Sequence, residues 1–130
     1  MYTVWRGDEF IYAGMSGRGA QHEDFVAQPG QRAAAMGLWT RLNSPASGRR
    51  SGDQFNVYVC DRFVVPARTA DQQRQIASGL LLLDQMTRQF IRRYLGYRYT
   101  IHPDGAEALA AERAVRAGGL AAGRPFLNPL

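Results

Sequence analysis

The strongest constraint on this chain sits at its start. Residues 2–6 (Tyr-Thr-Val-Trp-Arg) and 9–14 (Glu-Phe-Ile-Tyr-Ala-Gly) are two short strand-like segments joined only by Gly7-Asp8. A two-residue Gly/Asp connection between such segments is a tight hairpin signal. Side chains alternate faces along a strand. Tyr2 and Val4 are therefore expected on one face of the first arm, and Phe10 and Tyr12 on one face of the second. The chain opens with a hairpin carrying a tyrosine on each arm.

The rest of the chain adds helices and more strand. Residues 15–30 are polar and glycine-rich and read as a loop. Met36, Trp39 and Leu42 suggest the inner stripe of a helix over about 31–43. The run 44–53, with Pro45, several glycines and the adjacent Arg49 and Arg50, breaks that helix. Phe55, Val57 and Val59 alternate and predict a strand over 54–65, ended by Pro66. Thr69 with Gln72 resembles a capping box. Ile76, Leu80, Leu83, Met86, Phe90 and Tyr94 then recur at three- and four-residue steps, predicting one long helix to about Leu95, stopped by Gly96. Residues 97–102 read as another strand. Asp104 and Glu107 open a second capping-box-like start, with a helix over about 105–117 that ends at Gly118-Gly119. The tail 123–130 is extended and proline-fixed. The order β-β-α-β-α-β-α predicts an α+β fold: an N-terminal β-hairpin plus further strands in a small, mostly antiparallel sheet flanked by about three helices. The 130 residues suit a single domain, 1–130, that buries roughly two thirds of its unfolded surface.

Charge narrows the partners. Sixteen basic residues, all of them arginine, stand against eleven acidic ones, a net charge of +5. Arginine presents a planar fork of donors that matches phosphate, and a small basic domain is a nucleic-acid candidate. A merely soluble basic protein is the competing reading. The longest apolar run, Leu80 to Leu83, is far short of the ~20 residues of a membrane span. The N-terminus lacks a basic stretch followed by an apolar run. The lone Cys60, within an apolar alternation, reads as a buried thiol in a reducing compartment. These points predict a cytoplasmic protein without membrane contact. Gly14, Gly17 and Gly19 do not have dinucleotide-binding spacing, no P-loop is present, and no Cys/His cluster has zinc spacing.

Some polar residues stand where apolar ones are expected. Glu112 shares its helix side with Ala108, Leu109 and Val115. A carboxylate there needs a cation, a metal or several donors; a pairing with Arg113 or Arg116 is the ordinary reading. Arg41 sits near the end of its helix beside Leu42, where a surface arginine is also favourable. Tyr2 and Tyr12 face each other across the hairpin, which core packing explains as readily as function.

Taken in order, these residues resemble the GIY-YIG nuclease superfamily. Met1-Tyr2-Thr3-Val4 looks like the first motif strand, and Tyr12-Ala13-Gly14 the second. Arg41 on the first helix, Glu112 on a later helix and Asn128 in the proline-flanked tail complete the series. The resemblance implies a metal-dependent DNA endonuclease with Tyr2, Tyr12, Arg41, Glu112 and Asn128 as its catalytic residues. It implies that Glu112 holds one Mg²⁺ (or Mn²⁺) against the scissile phosphate. Tyr2 would activate or orient the attacking water, Tyr12 the water or phosphate. Arg41 would stabilise phosphate charge, and Asn128 would fix the tail against the site. Two positions depart from the pattern. The first motif lacks its leading glycine, since Met1 stands directly before Tyr2. Pro45 stands where many members have a proton-accepting histidine, leaving His22 and His102 as substitutes. DNA contact is expected from Arg18, Arg49 and Arg50, with Arg92-Arg93 as a further candidate. The alternative is a catalytically weak or inactive nucleic-acid-binding domain of the same fold. A third reading is a protein-interaction domain that uses the Leu80–Leu95 helix.

Overall fold

A computed structural model of the protein describes residues 1–15 and 46–128. The loop expected up to residue 30 and the helix expected over 31–43 lie outside the described residues. In chain order the elements are β1 (Tyr2–Arg6), β2 (Glu9–Gly14), α1 (Gln54–Val59), a π-helical stretch (Cys60–Val64), α2 (Val65–Ala67), α3 (Ala70–Ala77), α4 (Leu83–Tyr94), β3 (Gly96–Tyr99) and α5 (Gly105–Arg116). The fold is α+β with a small antiparallel sheet. The described residues form two compact units, 1–15 with 96–128, and 46–95.

In the first unit the three strands pair antiparallel in the order β2-β1-β3. Gly7, at φ 59°, supplies the left-handed residue that the two-residue turn requires. The pairing carries a bulge: Val4 faces Tyr12, but Trp5 faces Phe10. Ile11 is the extra residue, and it reverses the alternation. Phe10 and Tyr12 therefore lie on opposite faces, correcting the expectation from simple period-two reading. Phe10 stacks on Trp5 with ring centroids 4.8 Å apart, and it packs with Ala13 and with Val115 of α5. Tyr12 joins Tyr2 on the other face.

α5 begins at Asp104, whose Oδ1 accepts the Glu107 N–H at 2.8 Å. It ends with Gly118 at φ 103°, where the Gly119 N–H reaches back to the Ala114 carbonyl at 2.9 Å. That six-residue closure is the glycine-dependent helix stop expected of Gly118-Gly119. The segment after it runs back along β2. Phe126 N–H donates to the Phe10 carbonyl at 3.0 Å and Leu127 N–H to the Ile11 carbonyl at 2.8 Å. Successive carbonyls of a regular strand point to opposite sides, so the bulge at Ile11 is what lets both serve one neighbour. The tail thereby covers an edge that would otherwise be open to pairing.

Among its described residues the second unit has helices and connecting turns but no strand. Residues 54–65, expected as a strand, are helix. Asp53 caps α1, its Oδ1 accepting from Phe55 N–H at 3.1 Å and Asn56 N–H at 3.4 Å. Phe55, Asn56, Val59, Cys60 and Val64 are buried, at helical rather than alternating spacing. The β-branched valines favour strand intrinsically, but burial of this one face decides the outcome. Cys60 is a free, buried thiol. Pro66 has no N–H and its ring crowds the carbonyl four residues earlier. The turn before it widens accordingly, with Val65 N–H bonded to the Cys60 carbonyl.

The single helix expected from Thr69 to Leu95 is two helices. Its start is as expected: Thr69 Oγ1 accepts from Gln72 N–H at 3.2 Å, and Gln72 Oε1 accepts from Thr69 N–H at 2.9 Å. It stops at Ser78. Gly79 adopts φ 77°, Gly79 N–H bonds the Ile76 carbonyl at 3.1 Å and Leu80 N–H the Gln75 carbonyl at 2.9 Å. That is a complete Schellman closure. α4 buries Thr87 and Ile91. The loop before α1 is pinned to α4: Arg88 Nε donates to the Ser47 carbonyl at 2.7 Å. Gly48, at φ 70°, lies so close to the Arg88 backbone that a Cβ there would collide with it. Among the described residues, no helix is long and apolar enough to cross a membrane.

Candidate active site

The tyrosine pair lies at the open end of the hairpin. Tyr2 is opposite Gly14 and Val4 is opposite Tyr12, so the two tyrosines are diagonal neighbours on one face. Their ring centroids are 6.3 Å apart, with planes tilted by 36°. The approach depends on Gly14. A Cβ there would lie 2.6 Å from the Tyr2 hydroxyl oxygen, so any larger residue would push the phenol aside. Tyr2 is buried and Tyr12 half-buried. β3 adds a third ring: Tyr97 lies opposite Val4, 6.5 Å from Tyr2. Tyr97 could not be assigned to this cluster from local sequence, because only the long-range β1–β3 register brings it there.

Asn128 reaches the same hairpin from the far end of the chain. Its Oδ1 accepts the Ala13 N–H at 2.6 Å, and its Nδ2 donates to the Ala13 carbonyl at 2.9 Å. The side-chain amide thus mimics a neighbouring peptide and satisfies both backbone groups of the residue between Tyr12 and Gly14. The strand that presents Tyr12 is held by a residue 115 positions away.

Glu112 lies on the buried face of α5, with Ala108 and Val115, and is only 6% exposed. Its Oε1 is 3.6 Å from Arg116 Nη1, one helical turn on. It also acts electrostatically on the Met1 ammonium, which donates to the Thr100 carbonyl at 3.0 Å. Burial lowers that ammonium's pKa, and Glu112 pulls it partly back up. Glu112 therefore stands near Met1, the residue before Tyr2, at the end of the sheet where β1 begins. However, α5 packs on the sheet face that carries Phe10 and Ala13, and the tyrosine pair lies on the other. Phenols and carboxylate share one end of the sheet but belong to opposite faces of it.

Arg41, Arg18, His22 and Pro45 lie outside the described residues. Arg49 and Arg50 fall in the helical unit. Arg49 is exposed, and its carbonyl is held by Asn56 Nδ2 at 2.8 Å. Arg50 Nε bonds Asp84 Oδ1 at 2.7 Å; that hydrogen bond raises its pKa above the usual arginine value. Arg50 is thus committed to a partner that tethers its loop, whereas Arg49 faces solvent. His102 Nε2 is 2.8 Å from Thr100 Oγ1.

Among the described residues no group of three or more His, Cys, Asp or Glu side chains converges, so a protein-caged ion has no donors there. A single carboxylate such as Glu112 fits Mg²⁺, or Mn²⁺ in its place, because Mg²⁺ keeps most of its waters and takes one or two carboxylates plus substrate phosphate. No protein-family model, curated protein or solved structure matches the chain.

Proposed function

We propose that this protein is a metal-dependent endonuclease of GIY-YIG type that hydrolyses phosphodiester bonds in DNA. The observation that carries the reading is the Asn128 clamp on Ala13, between Tyr12 and Gly14. It joins two of the dispersed motif segments at one place, beside a phenol pair that Gly14 alone makes room for. The buried carboxylate of Glu112 stands at the same end of the sheet but on its other face, so a metal held there would have to meet the phenols around the strand ends. The net charge of +5 suits a polyanionic substrate.

Glu112 would hold the metal, which when bound supplies Lewis-acid stabilisation of charge on the phosphate. Tyr2 orients the attacking water through its hydroxyl. A free phenol titrates near pH ~10, so the water's proton must pass onward from Tyr2 or leave to solvent. Tyr12 lines the same face and restricts where the phosphate can sit. Arg41 is assigned to phosphate charge. Asn128 is a positioning residue: it acts through the Ala13 backbone.

The test is cleavage of supercoiled plasmid with Mg²⁺ and with EDTA. Nicking is expected only with the metal, and Glu112→Ala and Arg41→Ala should each abolish it. Cleavage that survives both substitutions would refute the assigned site.

A second reading, a non-catalytic nucleic-acid-binding domain, is favoured by the ion pair between Glu112 and Arg116. In that case Glu112 serves the helix rather than a metal. Thermal unfolding separates the two: a metal that binds only the native state raises Tm with concentration. An Mg²⁺-dependent rise that vanishes in Glu112→Ala supports the nuclease, and no rise supports the scaffold.

A further inference from the structure

The helical unit carries an aromatic ladder unrelated to the tyrosine pair. Phe63 stacks on Phe90 with centroids 5.2 Å apart and planes within 9°. Phe90 in turn meets Tyr94 at 5.1 Å, tilted by 48°. Phe63 and Phe90 are half-buried, whereas Tyr94, at the end of the ladder, is 50% exposed. The Arg93 guanidinium lies over the Tyr94 ring, 5.5 Å from its centroid, and Arg92 and Arg93 are both exposed in the last turn of α4. Basic residues there also offset the helix dipole. That role accounts for the charges, but not for a ladder of rings that ends half in solvent under a guanidinium.

We propose that Phe63, Phe90, Tyr94 and Arg93 form a binding site for an unpaired stretch of DNA, with a nucleobase stacking on Tyr94 and the neighbouring phosphate meeting Arg93. A π-face and a guanidinium plane accept any base without reading its edge. One guanidinium beside an exposed ring supplies charge and stacking but no pattern of base-edge donors, so the site takes flexible single strands without regard to sequence. A duplex keeps its bases stacked internally and cannot use the ring. This site is a contact for the strand, separate from the cleavage residues. It takes its partner class from the DNA reading above, but not the chemistry.

The experiment is fluorescence anisotropy of a labelled oligo-dT single strand, and of a blunt duplex of equal length, titrated with full-length protein in EDTA. Tyr94→Ala should weaken single-strand binding about 5- to 150-fold, the range one stacked base contributes, and leave the duplex unchanged. Tyr94→Phe, which keeps the ring, should bind within about twofold of wild type by the same stacking argument. Arg93→Ala should flatten the salt dependence by about 0.7, the value for one released counterion on single strands. Unchanged single-strand affinity in Tyr94→Ala, or equal losses on strand and duplex, would overturn the proposal. Because the metal is absent, failure here leaves plasmid cleavage as a separate result, and failure of cleavage leaves this binding result standing.

Discussion

The two units of this chain reach order by different routes. In the sheet unit, the ties that matter join distant residues: Met1 to Thr100, Phe126 to Phe10, Asn128 to Ala13. In the helical unit most ties are local: Asp53 onto Phe55, Thr69 with Gln72, Gly79 and Leu80 onto the turn before them. A long-range tie fixes two distant segments against each other with little freedom left, which a reacting site requires. Local caps set helix length and direction more cheaply and leave an exposed surface on which to bind. The candidate chemistry sits in the first unit and the candidate binding ladder in the second, which fits that division.

The comparison can be broken by substitutions in either unit. Tyr2→Phe removes only the hydroxyl that abuts Gly14. It should lower plasmid nicking by about 10²- to 10⁴-fold, the usual contribution of a positioned proton-transfer group, while circular dichroism stays unchanged. An equal loss in Tyr94→Phe would erase the distinction between the units. Next in size is a matched pair of glycines. Gly48→Ala should cost about 3 kcal/mol in urea unfolding, since it combines a left-handed backbone with a collision against Arg88. Gly7→Ala has the same backbone demand but open space around it, and should cost about 1 kcal/mol.

Smaller effects sharpen the contrast between long-range and local ties. Asn128→Ala leaves both backbone groups of Ala13 without their protein partner, and should cost about 2 kcal/mol. Hydrogen exchange should show the loss as faster exchange at Ala13, with the helical unit unaffected. Asp53→Ala removes the cap of α1 and should cost about 1 kcal/mol, with faster exchange confined to Phe55 and Asn56.

The sequence was most legible where one local device settles the structure. Gly7-Asp8 marks the hairpin, Thr69 with Gln72 marks a helix start, and Asp104 and Gly118-Gly119 bound α5. It misleads where two signals compete. Residues 54–59 carry a strand-like alternation of valines, yet Asp53 as cap and Phe55, Val59 and Cys60 as a buried helical stripe prevail. Hydrophobic periodicity ran across Gly79, whose left-handed turn ends α3. The bulge at Ile11 has no local signature, so the faces of Phe10 and Tyr12 emerged only from pairing with β1. Of the candidate site, Tyr2, Tyr12 and Asn128 come together around Ala13 and Gly14. Glu112 shares their end of the sheet, but the face of the sheet it serves is a tertiary outcome that no helical pattern encodes.

Glu112 is the most direct test of the nuclease reading, because metal-dependent chemistry needs its negative charge, whereas a structural role toward Arg116 can be kept by a neutral hydrogen-bonding side chain. Glu112→Gln keeps size and hydrogen-bonding capacity while removing the charge. Single-turnover nicking of supercoiled plasmid in Mg²⁺ should fall by about 10³-fold or more, the loss of several kcal/mol of metal-borne stabilisation, with the fold retained by circular dichroism. Nicking by Glu112→Gln within about tenfold of wild type, a change of only ~1.4 kcal/mol, would contradict it.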